Sequence, residues 1–166
     1  MNKLLERRSI RKYTEEPITE EQFVEVIKAG MYAPSSHNTQ PWEFIIVQDK
    51  VTLDKLKTVS PYASKPLSTA PAAIIVLGNT KELESTDFLE QNLAACTENI
   101  LLEATALGLG TCWIGIMPKQ DCMANVRTIF QLPDHIVPFN IIAIGHPAVM
   151  PTADRFDKSR IHNEQY

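Results

Sequence analysis

Four short, largely apolar segments constrain the fold of this 166-residue chain more than any other feature. They cover residues 42–47, 72–77, 111–116 and 139–144, and they alternate with segments of helical pattern. Short apolar strands of this kind are typical of a sheet that is covered on both faces. The pattern therefore predicts one three-layer domain of the α/β or α+β class, in which helices flank a central sheet.

The helix between the N-terminal residues and the first strand has a clear start. Thr19 and Gln22 have the spacing of a capping box, and Ile18 and Phe23 have the spacing of a hydrophobic staple. This helix is expected to end near Met31. Periodicity predicts four further helices, over residues 2–11, 52–59, 88–107 and 119–130.

Composition and charge exclude several classes of protein. Apolar residues make up 44% of the chain and charged residues 22%, values that exclude a disordered or fibrous protein. The formal net charge of −4 argues against a nucleic-acid binder or a basic membrane-surface protein. Three cysteines without C-x-x-C spacing indicate neither a disulfide framework nor a zinc site. Without a signal-peptide pattern or a long apolar run, a cytoplasmic location is expected.

The distribution of charge is more informative than its total. Residues 1–12 carry five basic side chains against one acidic, whereas residues 13–157 carry 9 basic and 18 acidic groups. Residues 158–166 are again net positive, by one charge. Both ends of an acidic chain are therefore locally positive.

The N-terminal positive charge is concentrated in the sequence Arg-Arg-Ser-Ile-Arg at residues 7–11. On the predicted helix Arg7 and Arg11 would lie one turn apart, with Arg8 beside them. Guanidinium groups and the Ser9 hydroxyl suit a phosphate group, although a solvated basic face is the common alternative. The basic side chains of residues 158–160 would join this cluster only if an anion lay between them.

Two further segments suit a flat ligand. Residues 34–41 form a loop of small hydrogen-bonding side chains between two prolines, which would line a planar heteroaromatic ring or simply connect helix to strand. Gly115 would allow a ligand close to the backbone, where its N–H could donate to a ring nitrogen. A core strand with a bulge is the alternative for that segment. Cys112 is expected to be a buried strand residue because no basic or histidine partner lies near it in sequence.

A serine–histidine pair, a metal site and a dinucleotide-binding turn are not indicated, because the residues lack the required arrangement. Ser36 and His37 are not expected to pair, because neighbouring side chains diverge along an extended loop. The four histidines are scattered, without carboxylate or cysteine at metal-ligand spacing. Gly108 and Gly110 follow a helix and open a strand, the reverse of a dinucleotide-binding turn.

Taken together, these blocks resemble the nitroreductase family of flavin mononucleotide (FMN) enzymes. The most specific matches are Arg-Arg-Ser-Ile-Arg at residues 7–11 and Pro-Ser-Ser-His-Asn-Thr-Gln-Pro-Trp at residues 34–42. The segments at 107–115, 145–147 and 158–160 follow in family order. The resemblance implies an α+β, three-layer fold with a central mixed β-sheet flanked by helices, and one FMN-binding domain over residues 1–166.

The resemblance also implies a homodimer with FMN at the subunit interface and a C-terminal tail, about residues 148–166, that extends over the partner. The residues that would hold the flavin phosphate are Arg7, Arg8, Ser9, Arg11, Lys158 and Arg160. Those that would contact the flavin from the partner subunit are Pro34, Ser35, Ser36 and Asn38. Ile114 and Gly115 would place a backbone N–H at the reactive edge of the ring.

Family enzymes take hydride from NADH or NADPH and pass reducing equivalents to a second substrate in a ping-pong cycle. The expected acceptors are nitroaromatics, quinones or similar flat molecules, and no protein side chain is expected to act as a dedicated acid or base. A flavin carrier or sensor without turnover is the alternative, followed by a domain that binds no ligand. Residues 62–69 leave no room for a helical insertion over the flavin, so an open site is expected.

Overall fold

Helices and strands alternate along the chain in the predicted order. The computed structural model describes residues 3–166. Short 3-10 turns lie at Ser36–Asn38, Lys65–Ser68 and Lys158–Arg160. The helices and strands of the described residues are α1 (Lys3–Glu6), α2 (Glu20–Met31), β1 (Trp42–Val47), α3 (Lys50–Lys57), β2 (Ala72–Asn79), α4 (Leu89–Ala106), β3 (Gly110–Gly115), α5 (Gln120–Phe130) and β4 (Ile136–Gly145).

The four strands form one sheet in the order β1-β2-β4-β3, and every neighbouring pair is antiparallel. The starts of β1 and β4 and the ends of β2 and β3 therefore lie at the same end of the sheet. A parallel contribution comes from an isolated bridge between Ser9 and Thr111. The expectation of a mixed sheet is thus wrong for the strands themselves and holds only for this bridge.

Both faces of the sheet are covered, as the apolar strands predict. Ile75 and Val126 belong to the core cluster between the sheet and helices α3 and α5. Ile74 and Ile100 belong to the cluster on the opposite face, beneath α2 and α4. Adjacent strand residues point to opposite faces, so the fully buried pair Ile74 and Ile75 contributes one side chain to each cluster. The α+β, three-layer architecture is confirmed.

The start of α2 has the predicted capping box. The Thr19 hydroxyl accepts a hydrogen bond from the Gln22 N–H at 3.2 Å, and the Gln22 side chain accepts one from the Thr19 N–H at 2.9 Å. Ile18 and Phe23, which have staple spacing, are both buried. Two otherwise unpaired backbone donors are satisfied in this way, so α2 begins where the sequence predicts.

The predicted helix over residues 2–11 is wrong beyond Glu6, where α1 ends, and Asn2 lies outside the described residues. The following segment is held extended by the sheet: the Ile10 N–H donates to the Thr111 carbonyl at 2.8 Å. Ile10 is only 2% exposed and is packed tightly against Gly110. Burial of this side chain against the sheet outweighs the local helical pattern.

Candidate functional site

The N-terminal basic segment runs beside the start of β3. Ser9 pairs with Thr111, and Tyr13 pairs with Pro147 just beyond β4. The buried Tyr13 hydroxyl lies 2.7 Å from the Ile10 carbonyl and 3.1 Å from the Ala143 carbonyl, so it can donate to either. These contacts fix Arg8, Ser9 and Arg11 in an extended strip, instead of one helical face as the sequence predicted.

Two of the three arginines keep donors that the described chain does not occupy. The Arg7 Nε lies 3.2 Å from Glu98 Oε1 on α4, which partly neutralises its charge. Arg11 makes one long hydrogen bond of 3.3 Å, from Nη1 to the Ser9 carbonyl. Since a guanidinium group has five N–H donors, both arginines retain capacity for an anion.

Arg8, in contrast, uses both of its Nη atoms to bind backbone carbonyls. Its Nη1 lies 2.7 Å from the Leu5 carbonyl and 2.8 Å from the Arg7 carbonyl, and its Nη2 donates to the Ala153 carbonyl at 2.6 Å. The Arg8 Nε is buried without a partner in the described chain, and so is the Thr111 hydroxyl. Arg8 thus holds the C-terminal residues against the N-terminal segment and leaves one unpaired buried donor there.

At the other end of β3, Gly115 has its backbone on the free edge of the sheet. Alternate residues of a strand direct their backbone N–H and C=O groups to opposite sides. The Thr111 carbonyl accepts from the Ile10 N–H on the side away from β4, so residues 113 and 115 also direct their backbone groups away from β4. Ile114 instead directs its N–H toward β4. A Cβ added to Gly115 would meet no heavy atom within 4 Å. The Gly115 N–H is therefore open to a ligand, and that of Ile114 is used within the sheet.

The loop of residues 34–41 lies at the same end of the sheet as Gly115 but at the opposite edge, before β1. Three strand spacings separate β1 from β3, so the two sites lie at least about 14 Å apart within one chain. The Ser36 Oγ is 3.0 Å from the His37 Nδ1. The expectation that these two side chains diverge is wrong, because the loop forms a 3-10 turn and His37 adopts a φ of 53°.

The C-terminal tail, residues 148–166, is exposed along its whole length. Its first residue is fastened by the Ala148 N–H, which donates to the Lys12 carbonyl at 3.0 Å. The Arg160 Nε lies 3.2 Å from the Asp157 carboxylate, within the same short turn as Lys158. Hydrogen bonds to Ser159 are the main reason that the pKa of Asp157 lies below its ordinary value.

The structure thus brings some predicted site residues together and keeps others apart. Arg7, Arg8, Ser9 and Arg11 lie at one end of β3, while Ile114 and Gly115 lie at the other. Thr111 and Gly115 are four residue steps apart along β3, a distance of about 14 Å. The predicted loop residues Pro34, Ser35, Ser36 and Asn38 lie at the opposite edge of the sheet, and the basic pair Lys158 and Arg160 lies in the exposed tail.

The cysteines and the acidic residues offer no alternative site. Cys112 is buried in β3, as expected, and burial raises the pKa of its thiol. Burial also raises the pKa of Cys96 to about 12, and a raised pKa disfavours the thiolate that nucleophilic chemistry requires. Within residues 3–166 no three His, Cys, Asp or Glu side chains are grouped to hold a metal ion. The same residues contain no helix that is long and apolar enough to cross a membrane.

Sequence reasoning missed three residues that shape the site. Glu98 pairs with Arg7, and Thr111 contributes the buried hydroxyl beside Ser9. Asn92 is a buried polar residue of α4 that binds the loop of residues 34–41. Asn92 directly precedes the core residue Leu93 in α4, and a polar side chain beside the buried face of a helix is the only indication that the sequence offers.

The fold and site define a class: three-layer α+β proteins with an arginine-rich segment at one end of an edge strand and an open glycine at the other. The family model described as the nitroreductase family matches residues 4–61 and 60–146. The chain belongs to the nitroreductase family. The expected class, FMN-dependent NAD(P)H oxidoreductases, is confirmed at the level of the family.

Individual relatives agree with this assignment. A protein of Methanothermobacter thermautotrophicus, provisionally named NADH dehydrogenase/NAD(P)H nitroreductase, is 39% identical over 96% of this chain and 84% of its own. A crystal structure from Clostridium acetobutylicum, provisionally named NADH oxidase, has a TM-score of 0.95 at 40% identity and covers 99% of both chains. A crystal structure from Desulfovibrio desulfuricans, provisionally named nitroreductase and in complex with FMN, has a TM-score of 0.85 at 28% identity, covering 99% of this chain and 95% of its own.

Proposed function

We propose that this chain is an FMN-dependent oxidoreductase that takes reducing equivalents from NADH or NADPH and passes them to a flat acceptor such as a nitroaromatic or a quinone. The observation that carries the proposal is the arrangement along β3. An arginine-rich segment pairs with Thr111 at its start, and an outward N–H of Gly115 lies about 14 Å further on. A ligand with an anionic end and a flat, hydrogen-bonding end fits this spacing.

The residues at the start of β3 fit a phosphate. Arg7 and Arg11 have N–H donors to spare, and Ser9 lies between them beside the buried, unpaired Thr111 hydroxyl. Arginine forks bind phosphate oxygens with charge-assisted hydrogen bonds, which are stronger than neutral ones. Arg8 supports the phosphate site indirectly, since its Nη atoms already hold backbone carbonyls.

The residues at the end of β3 fit the flavin ring. The open space above Gly115 admits a flat group, and its outward N–H would donate to an acceptor on the ring edge. When bound, FMN would supply the redox chemistry of the proposed ping-pong cycle, carrying reducing equivalents from the nicotinamide to the second substrate. The protein binds and orients the ring, and no side chain is assigned as acid or base.

The second half of the site would come from another copy of the chain. The loop of residues 34–41 lies at the opposite edge of the sheet, at least about 14 Å from Gly115, and we propose that it contacts the flavin of a partner in a homodimer. The exposed tail supports this proposal, since Val149, Met150 and Phe156 are all more than half exposed. On α2 and the edge strand β1 lies an apolar groove of about 420 Å³, lined by residues such as Phe23 and Ile27. This groove is complementary to the apolar side chains of a partner's tail.

Sedimentation and absorbance test these proposals together. The purified protein is expected to be a dimer with a flavin spectrum that NADH or NADPH bleaches and a nitroaromatic or quinone restores. A flavin spectrum that neither nucleotide bleaches would instead indicate a carrier or sensor. A protein that neither retains nor rebinds FMN would refute the proposed cofactor, and a monomer that retains FMN would refute the interface site.

A matched pair of variants tests the phosphate end. Arg7→Ala is expected to weaken FMN binding by about 1.5–3 kcal/mol, or about 10–150-fold, since it removes a charge-assisted hydrogen bond. Glu98→Gln leaves Arg7 in place and removes only its carboxylate partner, so it is expected to bind FMN at least as tightly as wild type. Equal affinities for the two variants would contradict the assignment of Arg7.

A further inference from the structure

The loop of residues 34–41 holds an unusual backbone conformation. His37, Asn38 and Gln40 have φ values of 53°, 56° and 47°, in the left-handed region that residues other than glycine seldom adopt. Such a conformation raises the energy of the backbone and persists only where the surroundings enforce it. Three such residues within four positions indicate that something outside the loop holds its shape.

Hydrogen bonds inside the loop brace it but do not attach it to the core. The Ser35 hydroxyl accepts from the Gln40 N–H at 3.0 Å, and the Gln40 side chain donates to Asn38 Oδ1 at 3.1 Å. Asn38 and Gln40 are exposed, so water competes for these bonds. An exposed network of this kind keeps the loop compact without fixing its position relative to the helices.

Asn92 attaches the turn within the loop to the core, whereas β2 holds only the last loop residue, through the Asn79 N–H that donates to the Pro41 carbonyl at 2.7 Å. Asn92 lies on α4 and is 7% exposed, and its Oδ1 accepts from the Ser36 N–H at 2.9 Å. Its Nδ2 lies 3.4 Å from the Thr39 hydroxyl, which donates in turn to the Ser36 carbonyl at 3.0 Å. Both halves of one amide therefore bind the two ends of the Ser36–Asn38 turn, which contains the first two left-handed residues.

The helix that carries Asn92 is a rigid support. Leu89 and Leu93, on either side of it in the sequence, are buried in the core cluster beneath α2 and α4. The α4 backbone thus cannot follow the loop if the loop relaxes. The amide of Asn92 therefore fixes Ser36 and Thr39 relative to α4.

We propose that Asn92 is a positioning residue that holds the loop of residues 34–41 in the conformation in which it contacts the flavin. This inference rests on the proposed function, in which the loop faces the FMN of the partner subunit. Asn92 is buried beneath the loop and acts through Ser36 and Thr39. Loss of its amide is expected to weaken FMN binding although the fold is retained.

The test compares Asn92→Leu with Asn99→Leu, both on α4. Asn99 donates from Nδ2 to the Ala29 carbonyl at 3.1 Å and has no bond to the loop, so its substitution controls for the loss of a polar contact between helices. FMN affinity is measured by titration into the apoprotein, and the visible circular dichroism of bound flavin reports the geometry around the ring. Asn92→Leu is expected to weaken FMN binding about tenfold or more and to change the dichroism, while Asn99→Leu leaves both within about twofold of wild type.

Two milder variants keep the inference testable if Asn92→Leu does not fold. Asn92→Asp retains the acceptor for the Ser36 N–H and loses the donor to Thr39, and Thr39→Val removes that hydroxyl from an exposed position. Each is expected to weaken FMN binding several-fold and to change the dichroism in the same sense. Asn92→Asp is expected to retain more affinity than Asn92→Leu, because it keeps the shorter bond.

The outcomes separate this inference from the proposed function. Wild-type protein that binds no FMN refutes the proposed function, and the inference that rests on it fails with it. Wild-type protein that binds FMN, with affinity and dichroism unchanged in Asn92→Asp and Thr39→Val, overturns the role of Asn92 alone. Equal effects of Asn92→Leu and Asn99→Leu would likewise overturn it, since they would show only a general effect on α4.

Discussion

Tyr13→Phe tests how the basic segment is held against the sheet. The Tyr13 side chain is 6% exposed, and its hydroxyl lies within hydrogen-bond distance of the carbonyls of Ile10 and Ala143. A buried hydrogen bond contributes about 0.5–1.5 kcal/mol, and an acceptor left unpaired adds to the cost of removal. We expect Tyr13→Phe to lower the free energy of unfolding by about 1–2 kcal/mol at pH 7.

The effect of Tyr13→Phe is expected to depend on pH in a defined direction. Burial, followed by the nearby Cys112, raises the pKa of Tyr13 far above its ordinary value, although Arg11 lowers it. The unfolded chain ionises this hydroxyl near pH 10, while the folded chain keeps it neutral. The stabilisation from Tyr13 is therefore complete below about pH 10 and falls by up to about 1.4 kcal/mol per unit as the pH rises further.

The measurement is urea unfolding of wild type and Tyr13→Phe at one protein concentration, from pH 7 to 11. The fixed concentration matters because a dimer is stabilised by mass action. The difference between the two proteins should shrink above pH 10, and Tyr62→Phe, at an exposed tyrosine, should match wild type within about 0.5 kcal/mol at pH 7. A difference that stays constant or grows above pH 10 would refute the reasoning.

Three further substitutions test particular contacts. Gly110→Ala places a Cβ 2.6 Å from the nearest atom of Ile10, so thermal unfolding should show a loss of about 1–3 kcal/mol in the free energy of unfolding. Gly115→Ala, where a Cβ meets no atom within 4 Å, should be as stable as wild type. Equal stability of the two variants would contradict the close packing of Ile10 on Gly110. Arg8→Ala frees the Ala153 carbonyl, so trypsin should cut the tail faster than in wild type, and an unchanged rate would exclude the tether. Thr19→Ala should cost about 1 kcal/mol in urea, and a negligible loss would argue against the cap.

The elements that the sequence predicts well are those whose pattern is local. The strand at Trp42–Val47 has the predicted limits, and α2 begins at its capping box, because burial and capping there depend on residues adjacent in the chain. The helix predicted over residues 2–11 fails for the opposite reason. Ile10 and Tyr13 are buried by pairing with segments about a hundred residues away or more, and no local pattern reports such contacts.

The same distinction applies to the candidate site. Arg7, Ser9 and Gly115 stand out in the sequence because their residue types suit an anion or a close backbone approach. Asn92 could not be connected with the loop that it binds, since 56 positions separate it from Ser36 and only the packing of α4 brings them together. Residue type thus reveals the groups that would meet a ligand, while the residues that position them depend on tertiary structure.

The open part of the site follows from how the basic segment covers the edge of the sheet. An edge strand exposes unpaired backbone groups unless another segment covers it. The segment after α1 pairs with β3 at Thr111 and then turns toward Pro147, so it leaves the backbone of Trp113 and Gly115 uncovered. Because that turn is held by the Tyr13 hydroxyl, the contact that places the arginines at one end of β3 also leaves Gly115 open at the other. Loosening Tyr13 should therefore disturb both ends of the proposed flavin site together.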